Sequence, residues 1–330
     1  MIKKQLLFRC ILLAMLLLSS LLLLSCCGLP KDKPDSTDDS KISIVATIFP
    51  PYDFARQIGG DNVELRLLIA PGVETHSYSP SPQDIIAIKN CDVFIYGGGS
   101  SDTWLDDLLD SIDLSDKQVV RMMDCVDALA EELVEGMEEE PTEEEDEHGH
   151  EHGHEALDEH VWTSPRNAIR ISESICSALQ AADSAHSEVY QERCQAYTAQ
   201  LEALDEQFRE LIAQAPRQLL IFGDRFPLRY FVEEYGLDYY AAFIGCSTET
   251  EPSAATVAFL IDKIQQEQIP VVFKLELSNG NICEAISADT GAAVRVFQSC
   301  HNLSKDDFDS GATYITLMQE NLIVLEEALY

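Results

Sequence analysis

The chain has 330 residues, 46% of them hydrophobic, and carries 22 Lys+Arg against 58 Asp+Glu for a net charge of −36. That is enough apolar material for two ordinary domains. A chain this acidic lacks the clustered cations that grip a nucleic-acid backbone, and it suits an anionic small ligand only if the charge is kept away from the site. A single long apolar stretch, at the N-terminus, excludes a polytopic membrane protein.

Lys3, Lys4 and Arg9 precede an apolar run over 10–24, the length of a signal peptide rather than of a spanning helix. The run ends in Leu23-Leu24-Ser25-Cys26, which resembles a bacterial lipobox. Cleavage there makes Cys26 the lipid-bearing N-terminus; an uncleaved signal anchor is the alternative. Loss of 1–25 removes three cations and no acids, leaving 19 against 58, or −39. The Pro-, Ser- and Asp-rich stretch 28–40 cannot bury a core and reads as a tether within 26–40. The folded part is therefore expected from about residue 41, held at the extracytoplasmic face of a cell membrane; whether that face is a Gram-positive surface or a periplasm stays open.

Short, mostly apolar runs at 42–48, 64–69, 92–96 and 119–123 read as strands buried on both faces. Helical patterns at 51–58, 82–89 and 103–111 alternate with them, which predicts a parallel α/β sheet. The second half repeats this pattern, with strands near 219–222, 239–243, 271–275 and 293–297 and helices near 227–235, 253–268, 281–290 and 311–329. Between the halves, Ser164-Pro165 is a serine N-cap followed by proline at the first helical position, for a helix running to about residue 182. A longer helix follows over 187–213. Its apolar positions Tyr190, Cys194, Tyr197, Leu201, Leu204, Phe208 and Leu211 alternate spacings of four and three. This one stripe, on a rod about 40 Å long at 1.5 Å per residue, predicts a strut crossing from one lobe to the other, with a dimeric coiled coil as the alternative.

Ten cysteines in an exported chain invite a disulfide reading. Cys176 and Cys194 flank the turn near 183–186 at similar distances, so an antiparallel helix pair would let them face each other, as a disulfide or as two buried thiols.

Residues 131–160 hold 15 acids, five histidines and no Lys or Arg, a composition for a solvated loop. His148, His150, His152 and His154 alternate with Gly or Glu, so several imidazoles can converge on one ion, and imidazole with carboxylate suits Zn2+. This insert, about 136–157, reads as an auxiliary metal-gathering loop, too redundant to be the tight site. Three further histidines lie at the carboxyl ends of expected strands or at loop–helix junctions, where α/β sheets bind ligands: His76 in GVETHSYSP (72–80), His160 in DEHVW (158–162) and His301 in SCHN (299–302).

These segments, with IVATIFPPY (44–52), CDVFIYGGGSSDTWLDDLL (91–109), TETEPSAATVAFLIDKI (248–264) and GATYITLMQENLIVLEEAL (311–329), resemble in order the zinc/manganese solute-binding lipoproteins of ABC importers, the zinc type with a His-rich loop. The resemblance covers 41–330. It implies an α/β fold of two lobes, each a mainly parallel sheet flanked by helices, over 41–186 and 216–330, joined by one long rigid linker helix over 187–215, with one metal ion in the cleft. It carries His76 and His160 over as ligands. The chain departs from the family at FGDRFPLRYF (222–231), where Arg225 stands in the place of a third histidine, and arginine cannot ligate a cation. His301 is taken as its replacement, with Asp224 and Glu276 competing for the remaining place; Asp224 could equally be a salt-bridge partner of Arg225 or a helix N-cap. Cys246 and Cys300 fall in second-lobe loops near the cleft, where a disulfide would brace His301 and thiolate ligation is the rival.

The function implied is capture of Zn2+ outside the cytoplasm and delivery to an ABC transporter permease, by a monomer tied to the bilayer through its lipid. Mn2+ is the rival ion, since manganese prefers more carboxylate oxygen. A surface adhesin or metal sensor on the same fold is a second reading. A zinc hydrolase would need three protein ligands, an open water position and a nearby base, and no HExxH motif is present.

Overall fold

The computed structural model describes residues 41–75, 78–137, 156–245, 247 and 252–330, the side chains of Asp106, Asp107 and Asp110 excepted. The leader and tether, with Cys26, lie outside the described residues.

The short apolar runs form two four-stranded sheets. In the first, β1 (Ile42–Ala46), β2 (Val63–Leu67), β3 (Val93–Tyr96) and β4 (Gln118–Arg121) stand in the order β2-β1-β3-β4. In the second, β5 (Leu219–Phe226), β6 (Asp238–Ile244), β7 (Val271–Leu275) and β8 (Ala293–Phe297) repeat it as β6-β5-β7-β8. Every pairing is parallel. Each order reverses at its first strand, and such a reversal opens a crevice at the carboxyl ends of the strands.

Helices cover the sheets: α1 (Phe49–Gly59), α2 (Pro82–Asn90) and α3 (Trp104–Ser111) in the first lobe, then α4 (Pro165–Ala182) and α5 (Ser187–Ala213), and in the second lobe α6 (Arg229–Tyr235), α7 (Ala254–Glu267), α8 (Asn281–Thr290), α9 (Lys305–Ser310) and α10 (Tyr314–Leu329). Ser164 caps α4 by accepting from the Asn167 amide, with Pro165 at the first position, as the sequence predicts. One difference follows from turn chemistry. Gly311, at φ 84°, ends α9, and a Thr313 capping box starts α10, so the helix expected at 311–329 begins three residues later and has a short partner before it. Strand β5 runs four residues beyond its expected end at Phe222, through a register shift between Phe222 and Arg225.

The stripe on α5 is buried within the chain, so the strut reading holds. Tyr190, Cys194, Tyr197, Leu201, Leu204 and Phe208 are all buried, but Ile212 rather than Leu211 completes the row. A straight helix of 3.6 residues per turn drifts off a strict 3.5-residue repeat, and over 22 residues that drift amounts to about one position. The helix ties both lobes. Arg193 donates to the Gln57 and Ile58 carbonyls at the end of α1, while Asp205 accepts from the Tyr235 hydroxyl of α6 at 2.9 Å. One apolar core runs through both lobes and α5, with Phe54, Trp162, Phe208, Phe231 and Tyr314 among its largest members. Smaller clusters cover the outer face of each sheet.

Cys176 and Cys194 are buried on facing turns of α4 and α5 as free thiols. The Cys176 thiol lies 3.6 Å from the Tyr190 carbonyl and the Cys194 thiol 3.8 Å from that of Ser172.

Candidate metal centre

His160 opens a short turn (Val161–Thr163) just before α4 and is fully buried. Asp158 fixes it twice: one carboxylate oxygen accepts from the His160 amide at 2.7 Å and pairs with ring Nδ1 at 3.0 Å. A carboxylate on Nδ1 selects the tautomer that presents Nε2 as the lone-pair donor, an arrangement common behind metal-binding imidazoles. Burial opposes protonation of the ring, but the charge and hydrogen bond of Asp158, aided by Glu159 and Glu131, outweigh it and hold His160 above its ordinary value. Gly245 permits the close approach of the second lobe here: a Cβ on it would stand 3.3 Å from both Asp158 Oδ2 and His160 Cε1 and 3.0 Å from the Phe226 carbonyl.

The base of the acidic insert is zipped beside this histidine. Ala130 and Leu157 form an antiparallel bridge, flanked by bonds from Glu131 to the Ala156 carbonyl and from Asp158 to that of Leu129. The Tyr230 hydroxyl, on α6 of the second lobe, closes the join by accepting from the Leu129 amide and donating to the Asp158 carbonyl. His148, His150, His152 and His154 lie outside the described residues.

His301 follows β8 on a tight turn. Cys300 just before it takes the left-handed conformation, φ 59°, which is costly for a residue with a Cβ and turns the chain sharply. Glu276, after β7, holds this turn: its carboxylate accepts from the Ser299 amide and hydroxyl, both at 2.8 Å, and Ser299 Oγ accepts from the His301 amide at 3.2 Å. Glu276 therefore positions His301 while lining the same cleft. Desolvation, opposed by the Ser299 bonds, pushes its carboxyl up to about 7.

Asp224 is engaged elsewhere. Its oxygens accept from the amides of Arg225 at 2.9 Å and Leu275 at 3.1 Å, bracing the register shift of β5 against β7. It is neither a salt-bridge partner of the Arg225 side chain nor a helix cap. Burial keeps the Cys300 thiol well above its ordinary value, and so protonated in the metal-free protein. Cys246 lies outside the described residues, so the proposed bridge to Cys300 does too.

The two histidine turns meet between the lobes. The rings of His160 and His301 are 5.1 Å apart at 84°, and Trp162 packs against both, at 5.4 and 4.9 Å. A cavity of about 50 Å3 opens between the lobes, lined by Thr75, His160, Arg225, Glu276 and His301 among others. Asn302 donates to the carbonyls of Ala70 and Val73, both at 2.9 Å, and Gly72 donates to the Leu303 carbonyl. These bonds hold the first-lobe loop against the His301 turn, with Thr75 Oγ1 3.4 Å from His301 Nδ1. His76 is the next residue and lies outside the described residues. Among the described residues no three His, Cys, Asp or Glu side chains gather closely enough to hold an ion; the described part of the site brings together two imidazoles, one from each lobe.

Asp158 and Trp162 stand in the motifs without an assigned role, and Asn302 falls where the family resemblance expects an acidic fourth ligand. Only Asp158 carried a readable signal, a carboxylate two residues before a candidate ligand. The hydrogen bonds by which Trp162 and Asn302 join the lobes link residues more than a hundred positions apart.

The chain is 33% identical over 311 residues to the zinc-binding lipoprotein AdcA of Streptococcus pneumoniae serotype 4, covering 93% of this chain and 60% of AdcA, so it spans less than two thirds of that relative. It is 32% identical over 310 residues to the high-affinity zinc uptake system protein ZnuA of Bacillus subtilis, covering 93% and 94% of the two chains. The crystal structure of the Zn(II)-bound ZnuA-like domain of S. pneumoniae AdcA superposes with a TM-score of 0.72 at 28% identity, covering 88% of this chain and 99% of that one. The family model described as zinc-uptake complex component A, periplasmic (ZnuA) matches residues 44–328, and the chain belongs to that family.

Proposed function

We propose that this chain is an extracytoplasmic solute-binding protein, anchored by lipid on Cys26, that captures Zn2+ in the interlobe cleft and hands it to an ABC importer permease. The observation that carries this reading is the meeting of His160 and His301 from opposite lobes, 5.1 Å apart, with Asp158 fixing the His160 ring. His76 supplies the third imidazole, one residue beyond Thr75. Three nitrogen donors favour zinc over manganese. Glu276 and Asp224 serve as supports, and an inner-shell role is not needed from either. Lobe 41–186, linker 187–215 and lobe 216–330 are the working parts, and the protein acts as a monomer with no catalytic step. Among the described residues no helix is long and apolar enough to cross a membrane.

The test is metal content and stoichiometry of the purified protein, with and without residues 137–156. One tightly held zinc should survive the deletion while total zinc at saturation falls. Loss of the tight zinc in the deleted protein would make the insert the site. Retention of it in His160→Ala and His301→Ala would remove the cleft from consideration.

A further inference from the structure

Arg225 occupies the position where a third metal-ligating histidine is expected, and its guanidinium is committed across the cleft. From the second lobe its Nη2 reaches Glu74 Oε2 of the first lobe at 3.1 Å, while Nη1 donates to the Ser247 carbonyl at 3.2 Å. Glu74 sits two residues before His76, on the loop that Asn302 holds by its backbone. Both Glu74 and Arg225 line the cavity that His160 and His301 share. We infer that Arg225 is a positioning residue, a latch that pins the Glu74 loop to the second lobe and so slows the escape of a captured cation.

Two effects of the guanidinium oppose each other. Its charge repels a dication, while its bond to Glu74 closes the cleft. The partner decides which prevails. At 3.1 Å the Glu74 carboxylate largely cancels the guanidinium charge, so the pair shows the cleft little net charge and keeps its mechanical role. The pair is also half-exposed, with side-chain exposures of 23% for Arg225 and 47% for Glu74, so its effect is modest: an exposed ion pair is worth up to about 1 kcal/mol, roughly fivefold in an equilibrium.

The closing clause, retention of the ion, rests on the proposed function; the latch itself does not. The first measurement is therefore amide hydrogen exchange of peptides covering 70–75 in the metal-free protein. Arg225→Ala and Glu74→Gln should each speed exchange about two- to fivefold. The double variant should add nothing to either single, because both remove the same bond, and Arg225→Lys should fall between. A thermal melt shows that each variant is folded. Unchanged or slower exchange in Arg225→Ala, or additive effects in the double, overturns the latch. The second measurement is zinc exit into a chelator, which should accelerate by a similar factor in each single variant. Exit that is unchanged or slower there overturns the retention role. A wild-type protein that takes no zinc defeats the proposed function instead, and the exchange experiment still decides the latch.

Discussion

Trp162 of the first lobe donates its indole Nε1–H to the Ser299 carbonyl of the second, at 2.9 Å, inside the core. Each partner is two residues from a cleft histidine, Trp162 from His160 and Ser299 from His301. Tyr314 completes the joint by donating its hydroxyl to the Trp162 carbonyl at 2.7 Å. The distance between the two imidazoles is thus set by buried hydrogen bonds and by an indole ring packed against both.

Trp162→Phe keeps much of the packing but strips the Ser299 carbonyl of this donor. A buried acceptor left without a partner costs about 1–3 kcal/mol, and the His301 turn gains freedom. Thermal denaturation should show that loss, and calorimetry should show zinc affinity falling with stoichiometry unchanged. A variant as stable and as tight as wild type would show that the joint does not set the site.

Asp158→Asn should weaken zinc about 10–100-fold, the usual cost of losing the carboxylate that orients a ligating imidazole. The pH profile tests the same pair. Because His160 is held above its ordinary value of 6.5, its protonated pair with Asp158 stabilises the metal-free protein fully below that value. The contribution fades as pH rises through the raised one. Metal must displace this proton, so zinc affinity should already be falling with pH above 6.5, steepening toward third order in protons if three imidazoles bind. In Asp158→Asn the onset should move to lower pH. A flat profile between pH 7.5 and 5 would contradict histidine ligation.

Glu276→Gln separates a supporting carboxylate from a ligand. The wild-type carboxyl titrates near 7 in the folded protein against an ordinary 4.5, so folding favours its neutral form and stability falls as pH rises from about 4.5 through 7. Glutamine stays neutral, so the metal-free variant should melt higher than wild type at pH 8 and about the same at pH 4. Zinc affinity should change by less than in His301→Ala. Equal losses in the two variants would make Glu276 an inner-shell ligand.

Oxidation of the folded protein with a low-molecular-weight disulfide should join Cys176 to Cys194 before Cys91, Cys283 or Cys300 reacts, with both thiol protons and two electrons passing to the oxidant. Peptide mapping without reduction identifies the link, and the melting temperature should rise, since closing a loop of this size adds about 2–4 kcal/mol. A map in which both remain free thiols after oxidation would exclude the pairing.

The architecture is legible in the amino-acid pattern alone. Strands 271–275 and 293–297, helix 281–290 and the long helix 187–213 have the bounds that apolar runs and caps predict, because a strand buried on both faces and a helix with one apolar stripe write their periods into neighbouring residues. The pattern also marked His160 and His301, whose places after β4 and β8 follow from strand order. What the acids do depends on packing between distant segments. Glu276 and Asp224 look alike as candidate ligands in the sequence. In the fold, Glu276 is occupied by Ser299, 23 positions away, and Asp224 by the amide of Leu275, 51 positions away. The role of Arg225 likewise depends on Glu74, 151 positions earlier. A carboxylate or guanidinium takes whichever partner the packed chain brings within about 3 Å, and that proximity is created by two sheets and a helix meeting, which no local pattern records.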